Sequence, residues 1–317
     1  MKLKDIYELA VNMGKACDVR GDSLELYLQG QRKQYDHLSQ KQRELFDMEQ
    51  LTNPYADTRI LAGNREAYIK GVFCGIDVET PEIVLADRIK EKGAKVDLII
   101  AHHPEGAAQA GLHEVMGVQE DLMVHAGVPV NVAEGIMSSR ISEVQRGFMP
   151  LNHQRAVDAA KILEIPFMCV HSPADNLVHK FLQNLLRDNE YSTLENIMDI
   201  LLEVPEYIAA AKQKAGPVIL SGKPKNKAGK VFIKVTGGTG GPDSSIEKLA
   251  DAGVGTFICM HMQNKLLELA KKFHINVIVA GHMASDSIGM NLFLDGLEQK
   301  DVDIITAAGL IRVSRNS

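Results

Sequence analysis

"LIIAHHPEG", residues 98–106, decides how the rest of the chain is read. Leu98 to Ala101 run straight into His102, His103 and Pro104. The run predicts a strand, and Pro104 biases His103 toward extended backbone, so strand geometry should continue through both histidines. Side chains then alternate, and His102 and His103 should point in opposite directions. A lone histidine here would read as a core residue or a chance strand end. An adjacent pair at a strand's C-terminal end is different, because open α/β sheets bind ligands at that edge. Two diverging imidazoles there suit two metal ions, one on each.

Two further stretches repeat a single spacing. "HSPAD" sets His171 and Asp175 four residues apart at the end of "IPFMCVH" (165–171). "HMASD" sets His282 and Asp286 four apart after "INVIVAG" (275–281). On a helix, residues four apart share a face, so each pair can converge on one site. Imidazole with carboxylate suits Zn, Fe, Mn or Co, and a carboxylate can bridge two ions. One His-x-x-x-Asp arises by chance in many proteins. Three such sites, each directly after an apolar strand, point to a metal centre.

Working outward, short β-branched runs alternate with helical patterns, which predicts an α/β fold with mixed or mostly parallel sheets flanked by helices. Strands are expected at 68–78, 96–102, 128–133, 165–171, 230–238, 255–261, 275–281 and 302–309. Helices are expected at 81–92 and 152–163, with a polar one over 31–51. Another should run to Ala252, capped by Asp243 or Ser244 with Glu247 completing a capping box from Ser244. Residues 214–230, rich in Gly, Pro and Lys, read as an exposed connection. No internal repeat with a convincing period is evident. If the three histidine-bearing strands share one sheet edge, 1–174 and 275–317 form a discontinuous metal-site domain, with 176–274 inserted as a second α/β domain.

Bulk properties narrow the function classes. The chain has 317 residues, 45% of them hydrophobic, enough for a substantial core. Its net charge is −6 and its basic residues are scattered, which speaks against nucleic-acid or membrane-surface partners. No stretch approaches the roughly 18 apolar residues of a membrane span. Cys17, Cys74, Cys169 and Cys259 show no CxxC spacing, and the last three lie in apolar runs, as buried reduced thiols do. The N-terminus reads as an amphipathic helix rather than a signal peptide, so a cytoplasmic protein is expected.

Other candidates compete with plainer readings. "GGTGGP" (237–242) lies between a strand and a helix, where its amides can bind an anion; a tight structural turn is the alternative. Glu105, His113 and Glu114 fall near the histidine pair. Glu105 can orient a water or a ligand, and reads equally as a solvated loop residue. His125, His153, His179 and His274 are taken as structural. The absence of GxSxG argues against a serine hydrolase.

The stretch from Ile60 to Gly106, "ILAGNREAYIKGVFCGIDVETPEIVLADRIKEKGAKVDLIIAHHPEG", resembles the first signature of the NIF-three-like proteins, also called GTP cyclohydrolase 1 type 2 homologues. "GKVFIKVTGGTGGPDSSIEKLADAGVGTFI" and "INVIVAGHMASDSIGMNLF" resemble their C-terminal signature. Together the likeness spans about 60–106 and 165–310. It implies two divalent metal ions held by His102, His103, Asp175, His282 and Asp286, with His171 as a further ligand or a partner behind one. It also implies a ring-shaped homohexamer, a trimer of dimers. Asp286 stands where relatives commonly carry glutamate, and Cys259, Met260 and His261 where they show Thr-Gly-Glu. The function expected is a dinuclear-metal hydrolase of a small nucleotide-like or phosphate-bearing molecule. The alternative is a non-catalytic metal-binding regulatory protein or metallochaperone.

Overall fold

The computed structural model describes residues 1–316. Nine strands form two sheets: β1 Arg59–Ala62, β2 Gly71–Gly75, β3 Leu98–Ala101, β4 Phe167–Cys169, β5 Val218–Ser221, β6 Lys230–Lys234, β7 Val254–Cys259, β8 Asn276–Val279 and β9 Asp303–Ala307. The first sheet has the order β1-β4-β3-β2-β9 and the second β5-β8-β7-β6. Every pairing is parallel except at one edge of each sheet, where β1 runs antiparallel to β4 and β5 to β8. All nine are four- or five-residue strands apart from β4 and β7, and β2, β3 and β4 are buried throughout, as parallel strands covered on both faces must be. Helices cover the sheets, and side chains such as Phe73, Phe167 and Phe293 are about fully enclosed. Each such burial is worth roughly 1.5–3 kcal/mol.

The second sheet repeats the first. Mapping β1, β2, β3 and β4 onto β5, β6, β7 and β8 preserves the order, the antiparallel edge and the register shift in the edge pair. The sequence carries the same duplication in "AKILEIPFMCVHSPAD" (160–175) and "AKKFHINVIVAGHMASD" (270–286). Glu164 and His274, at matching positions before β4 and β8, both adopt left-handed backbone, with φ of 54° and 58°. The repeat escaped sequence inspection because about 60 residues between β3 and β4 have only a short counterpart in the second unit. The first connection holds several helices, the longest Val130–Phe148, while the second holds Asn264–Lys272 alone.

Several expectations need correction. The strand expected at 128–133 is the start of the helix Val130–Phe148, which begins directly after Pro129. Pro129 supplies the fixed φ of a helix entry, and packing overrides the β preference of three valines. The polar helix expected over 31–51 is broken: one helix covers Ser23–Asp36, a short one Gln40–Arg43, and a 3₁₀ turn Met48–Leu51, where Asp47 accepts from the Glu49 amide. The helix after "GGTGGP" spans Ser245–Asp251, and Ser244 makes no side-chain cap. The connection 214–230 contains β5. Strand β8 lies in the four-stranded sheet rather than beside β2, β3 and β4, so the histidine-bearing strands do not share one edge. Of the segment 275–317, only β9 joins the first sheet.

What joins the units is a helix pair. The strands β4 and β8 lead into the helices Ser172–Arg187 and His282–Glu298, which pack on each other. Gly289 permits the approach: a Cβ there would collide with the carbonyl oxygen of Ala174. The first turns of both helices are thereby brought side by side. Among the described residues, no helix is long and apolar enough to cross a membrane.

Candidate metal centre

The sequence-predicted ligands converge at those two first turns. Asp175 lies in the first turn after His171, and His282 opens the second helix with Asp286 one turn on. Strand β3 ends at Ala101, so His102 and His103 sit on a bend and do not alternate as strand residues. Their rings lie 5.2 Å apart, and both turn Nε2 toward Asp286 instead of diverging across the sheet. His102 Nε2 stands 3.4 Å from Asp175 Oδ1 and 3.5 Å from Asp286 Oδ1. His103 Nε2 and His282 Nε2 each stand 3.4 Å from Asp286 Oδ2. His171 Nε2 is 3.9 Å from Asp175 Oδ2.

Those spacings are too long for good hydrogen bonds and have another reading. Ligand atoms at tetrahedral corners about 2.0–2.2 Å from an ion stand about 3.3–3.6 Å apart. Three groups of donors lie close enough to hold an ion: His102 with Asp175 and Asp286, His103 with His282 and Asp286, and His102 with His103 and His171. His102 Nε2 and both Asp286 oxygens are buried without any hydrogen-bond partner. Buried polar atoms rarely go unpaired, and each costs roughly 1–3 kcal/mol when they do. Cations held between these donor groups would satisfy all three atoms. The residues present therefore fit a metal ion.

Residues behind the cluster fix the histidine tautomers. His102 Nδ1 donates to the Val170 carbonyl at 3.0 Å. His103 Nδ1 bonds Asp77 at 2.6 Å and His171 Nδ1 bonds Asp57 at 2.7 Å. With Nδ1 carrying the proton, each neutral ring presents the Nε2 lone pair to the cluster, the form a metal needs. Asp57 is wholly buried and also accepts from Ser172 Oγ, and the His171 amide is held by Thr58 Oγ1. Neither Asp57 nor Asp77 was read from the sequence. Asp77 had a signal, an acidic residue just past an apolar strand, whereas Asp57 lies in "NPYADTR" and had none.

Electrostatics bind the cluster together. Burial pulls His102 down, but Asp286 and Asp175 outweigh it and hold the imidazole well above its ordinary range. His103 is raised in the same way, by Asp286 and Asp77 against burial. Burial pushes Asp286 up, yet His102, His103 and His282 leave it far below the usual carboxylate range. Burial lowers His282, with the neighbouring histidines adding to it and Asp286 opposing. Protons occupy here the positions a divalent ion competes for.

The cluster opens into a cleft between the units. His171, Asp175, His282 and Asp286 line it together with the 238–242 loop, Lys234, Met260 and His261. The His261 ring lies 5.0 Å from that of His282. Glu105 sits elsewhere: it precedes the short helix Gly106–Ala110, and does not line the cleft. Burial, with Glu79 adding, pushes its carboxyl up to about 7. His113 and Glu114 fall in the 3₁₀ segment Leu112–Gly117, outside the cluster. His179 is a buried core histidine, pushed down by burial to about 4.

Two similarly wound sheets, joined by a helix pair that carries a buried histidine–aspartate cluster suited to metal, define the class of protein. A NIF3 superfamily protein from Sphaerobacter thermophilus is similar over 83% of this chain and 94% of its own length, at 26% identity and a TM-score of 0.72, a likeness that supports the NIF3 family for this chain. Reduced HcgD from Methanocaldococcus jannaschii shares the fold over 84% of this chain and 94% of its own, at 16% identity and a TM-score of 0.51. No family sequence model and no curated protein matches the chain.

Proposed function

We propose that the chain is a dinuclear-metal hydrolase of a small phosphate-bearing molecule, with His102, Asp175 and Asp286 holding one ion, His171 a further donor beside His102, and His103, His282 and Asp286 holding the other. The observation that carries this reading is the position of Asp286, whose two unpartnered oxygens face different histidine groups at 3.4–3.5 Å. Its shorter side chain, where relatives commonly carry glutamate, reaches both groups because Gly289 lets the two helices close. Mixed imidazole and carboxylate donors suit Zn, Fe, Mn or Co. Bound divalent ions supply Lewis acidity, drawing a water's pKa down toward about 7. Asp57 and Asp77 orient the ligand rings, and the cleft walls hold the substrate and limit water around it.

The test is metal analysis of the dialysed protein together with turnover of para-nitrophenyl phosphate and nucleoside triphosphates. Between one and two ions per chain are expected, with Asp286→Ala reducing the content in both positions and Asp286→Glu keeping it. Unchanged metal content in Asp286→Ala would sink the dinuclear centre. Metal uptake without hydrolysis of any phosphoester would instead favour a metal-handling role. The family resemblance further supports a homohexamer, and light scattering giving a monomer mass would remove that part.

A further inference from the structure

The cleft beside the cluster carries a positive charge with no carboxylate partner. Lys234, the last residue of β6, is half-buried and lines the cleft. Its Nζ donates to the Thr239 carbonyl at 2.7 Å. Among the described residues, it has no carboxylate within ion-pair distance. An ammonium taken out of water without a counter-charge is costly, so an unpaired one facing a cleft calls for an anion. Burial pushes it down to about 8, with Asp175 opposing, which leaves it largely protonated at neutral pH.

The adjoining loop points the same way. Gln119 Nε2 donates to the carbonyls of Gly237 and Thr239 at 2.6 and 2.7 Å, and Arg140 Nε to that of Gly240 at 3.0 Å. Side chains thus hold the loop by its carbonyls. Its amides from Gly237 to Gly241 find no backbone acceptor among the described residues. Gly237 and Gly238 take φ of 90° and 79°, which a side chain would strain. Successive free amides in such a turn form a concave donor set for anions.

We propose that Lys234 and the Gly237–Gly241 loop form a subsite that holds a phosphate group of the substrate in the cleft that the metal cluster also lines. This rests on the function proposed above and names its substrate class. A phosphate presents several oxygens in a tetrahedral array, enough to engage both the ammonium and the loop amides. Met260, Met262 and Leu266 on the same cleft offer an apolar bed for the rest of the molecule.

The experiment uses pyrophosphate as the probe, titrated calorimetrically into chelator-treated protein so that binding is read without metal. Lys234→Met should weaken binding about tenfold or more, as loss of a charged hydrogen bond does, while Lys234→Arg stays within about threefold. Both variants should reload metal like the wild type. In unmutated protein, pyrophosphate should protect Lys234 from acetic anhydride while Lys212, exposed at the end of the helix Pro205–Lys212, reacts as before by mass spectrometry. Equal pyrophosphate affinity in Lys234→Met, or no protection of Lys234, would overturn the subsite. Malonate bound as tightly as pyrophosphate would overturn the phosphate assignment. A chain that takes up no metal yet binds pyrophosphate through Lys234 would support the subsite while removing the hydrolase reading.

Discussion

The two units share one wiring and spend it differently. Register makes the comparison residue by residue: Ala101 pairs with Cys169 in the first unit as Cys259 pairs with Val279 in the second. The residues that follow, His102 and His103, therefore correspond to Met260 and His261. Likewise Gly75 pairs with Ala101 as Lys234 pairs with Cys259, so a glycine in one unit stands where the other has the cleft lysine. Each unit contributes one His-x-x-x-Asp, but only the first contributes a histidine pair. The second reaches His282 with one extra residue, Gly281, at φ 113°. The difference teaches that one duplicated frame can yield a single shared centre. One copy supplies most of the clustered histidines and carboxylates, and the other supplies the last pair and Lys234 of the cleft.

The junction itself is the most sensitive point. Gly289→Val would force the two helices apart, since even a Cβ at 289 meets the Ala174 carbonyl. Overpacking of this kind costs about 1–3 kcal/mol. Urea unfolding should show that loss together with reduced metal content; retention of both would mean the two first turns need not touch.

Asp57 offers a test within the first unit. Asp57→Asn leaves His171 a partner of similar size but no buried charge behind it. Loss of such a partner typically lowers metal affinity about 10–100-fold. Competition with a chromophoric chelator would read the change. Asp77→Asn should cost less, because Asp77 is largely exposed to solvent. Equal effects would show that burial does not rank the two supports.

A smaller effect follows from charge. His102 and His103 are raised in the metal-free fold, so their protonation contributes stability that is fully present below their unfolded pKa near 6.5 and is lost as pH rises through the folded values. Asp286 is depressed, so its contribution is present above about pH 4 and is lost as pH falls through its low folded value. Chelator-treated protein should therefore melt at a lower temperature at pH 9 than at pH 6. The stabilisation gained on adding metal should move oppositely and grow with pH, because protons and cation compete for the same atoms. A flat melting profile in the metal-free protein would contradict the coupling of these histidines to Asp286.

The smallest effect is expected at His261. Its ring lies beside His282, yet it belongs to none of the three donor groups. His261→Ala should leave metal content unchanged. A loss of metal there would break the comparison, making the second unit's strand-end residue a ligand like its counterpart His103.

Much of this was legible in the chain alone. Apolar runs of strand length located seven strands, because burial on both faces of a parallel strand leaves a continuous hydrophobic signature. Strand-end histidines and the four-residue His/Asp spacing gave the cluster, because helix geometry is local and fixes which residues share a face. The sequence by itself therefore determined which side chains form the candidate cluster and the elements that carry them. Only the tertiary structure decided that β8 lies in the other sheet, that His102 and His103 turn toward one carboxylate, that Asp57 backs His171 and that Lys234 lines the cleft. Those facts depend on contacts between segments distant in the chain, Asp57 with His171 and Gly289 with Ala174, whose partners no local pattern specifies.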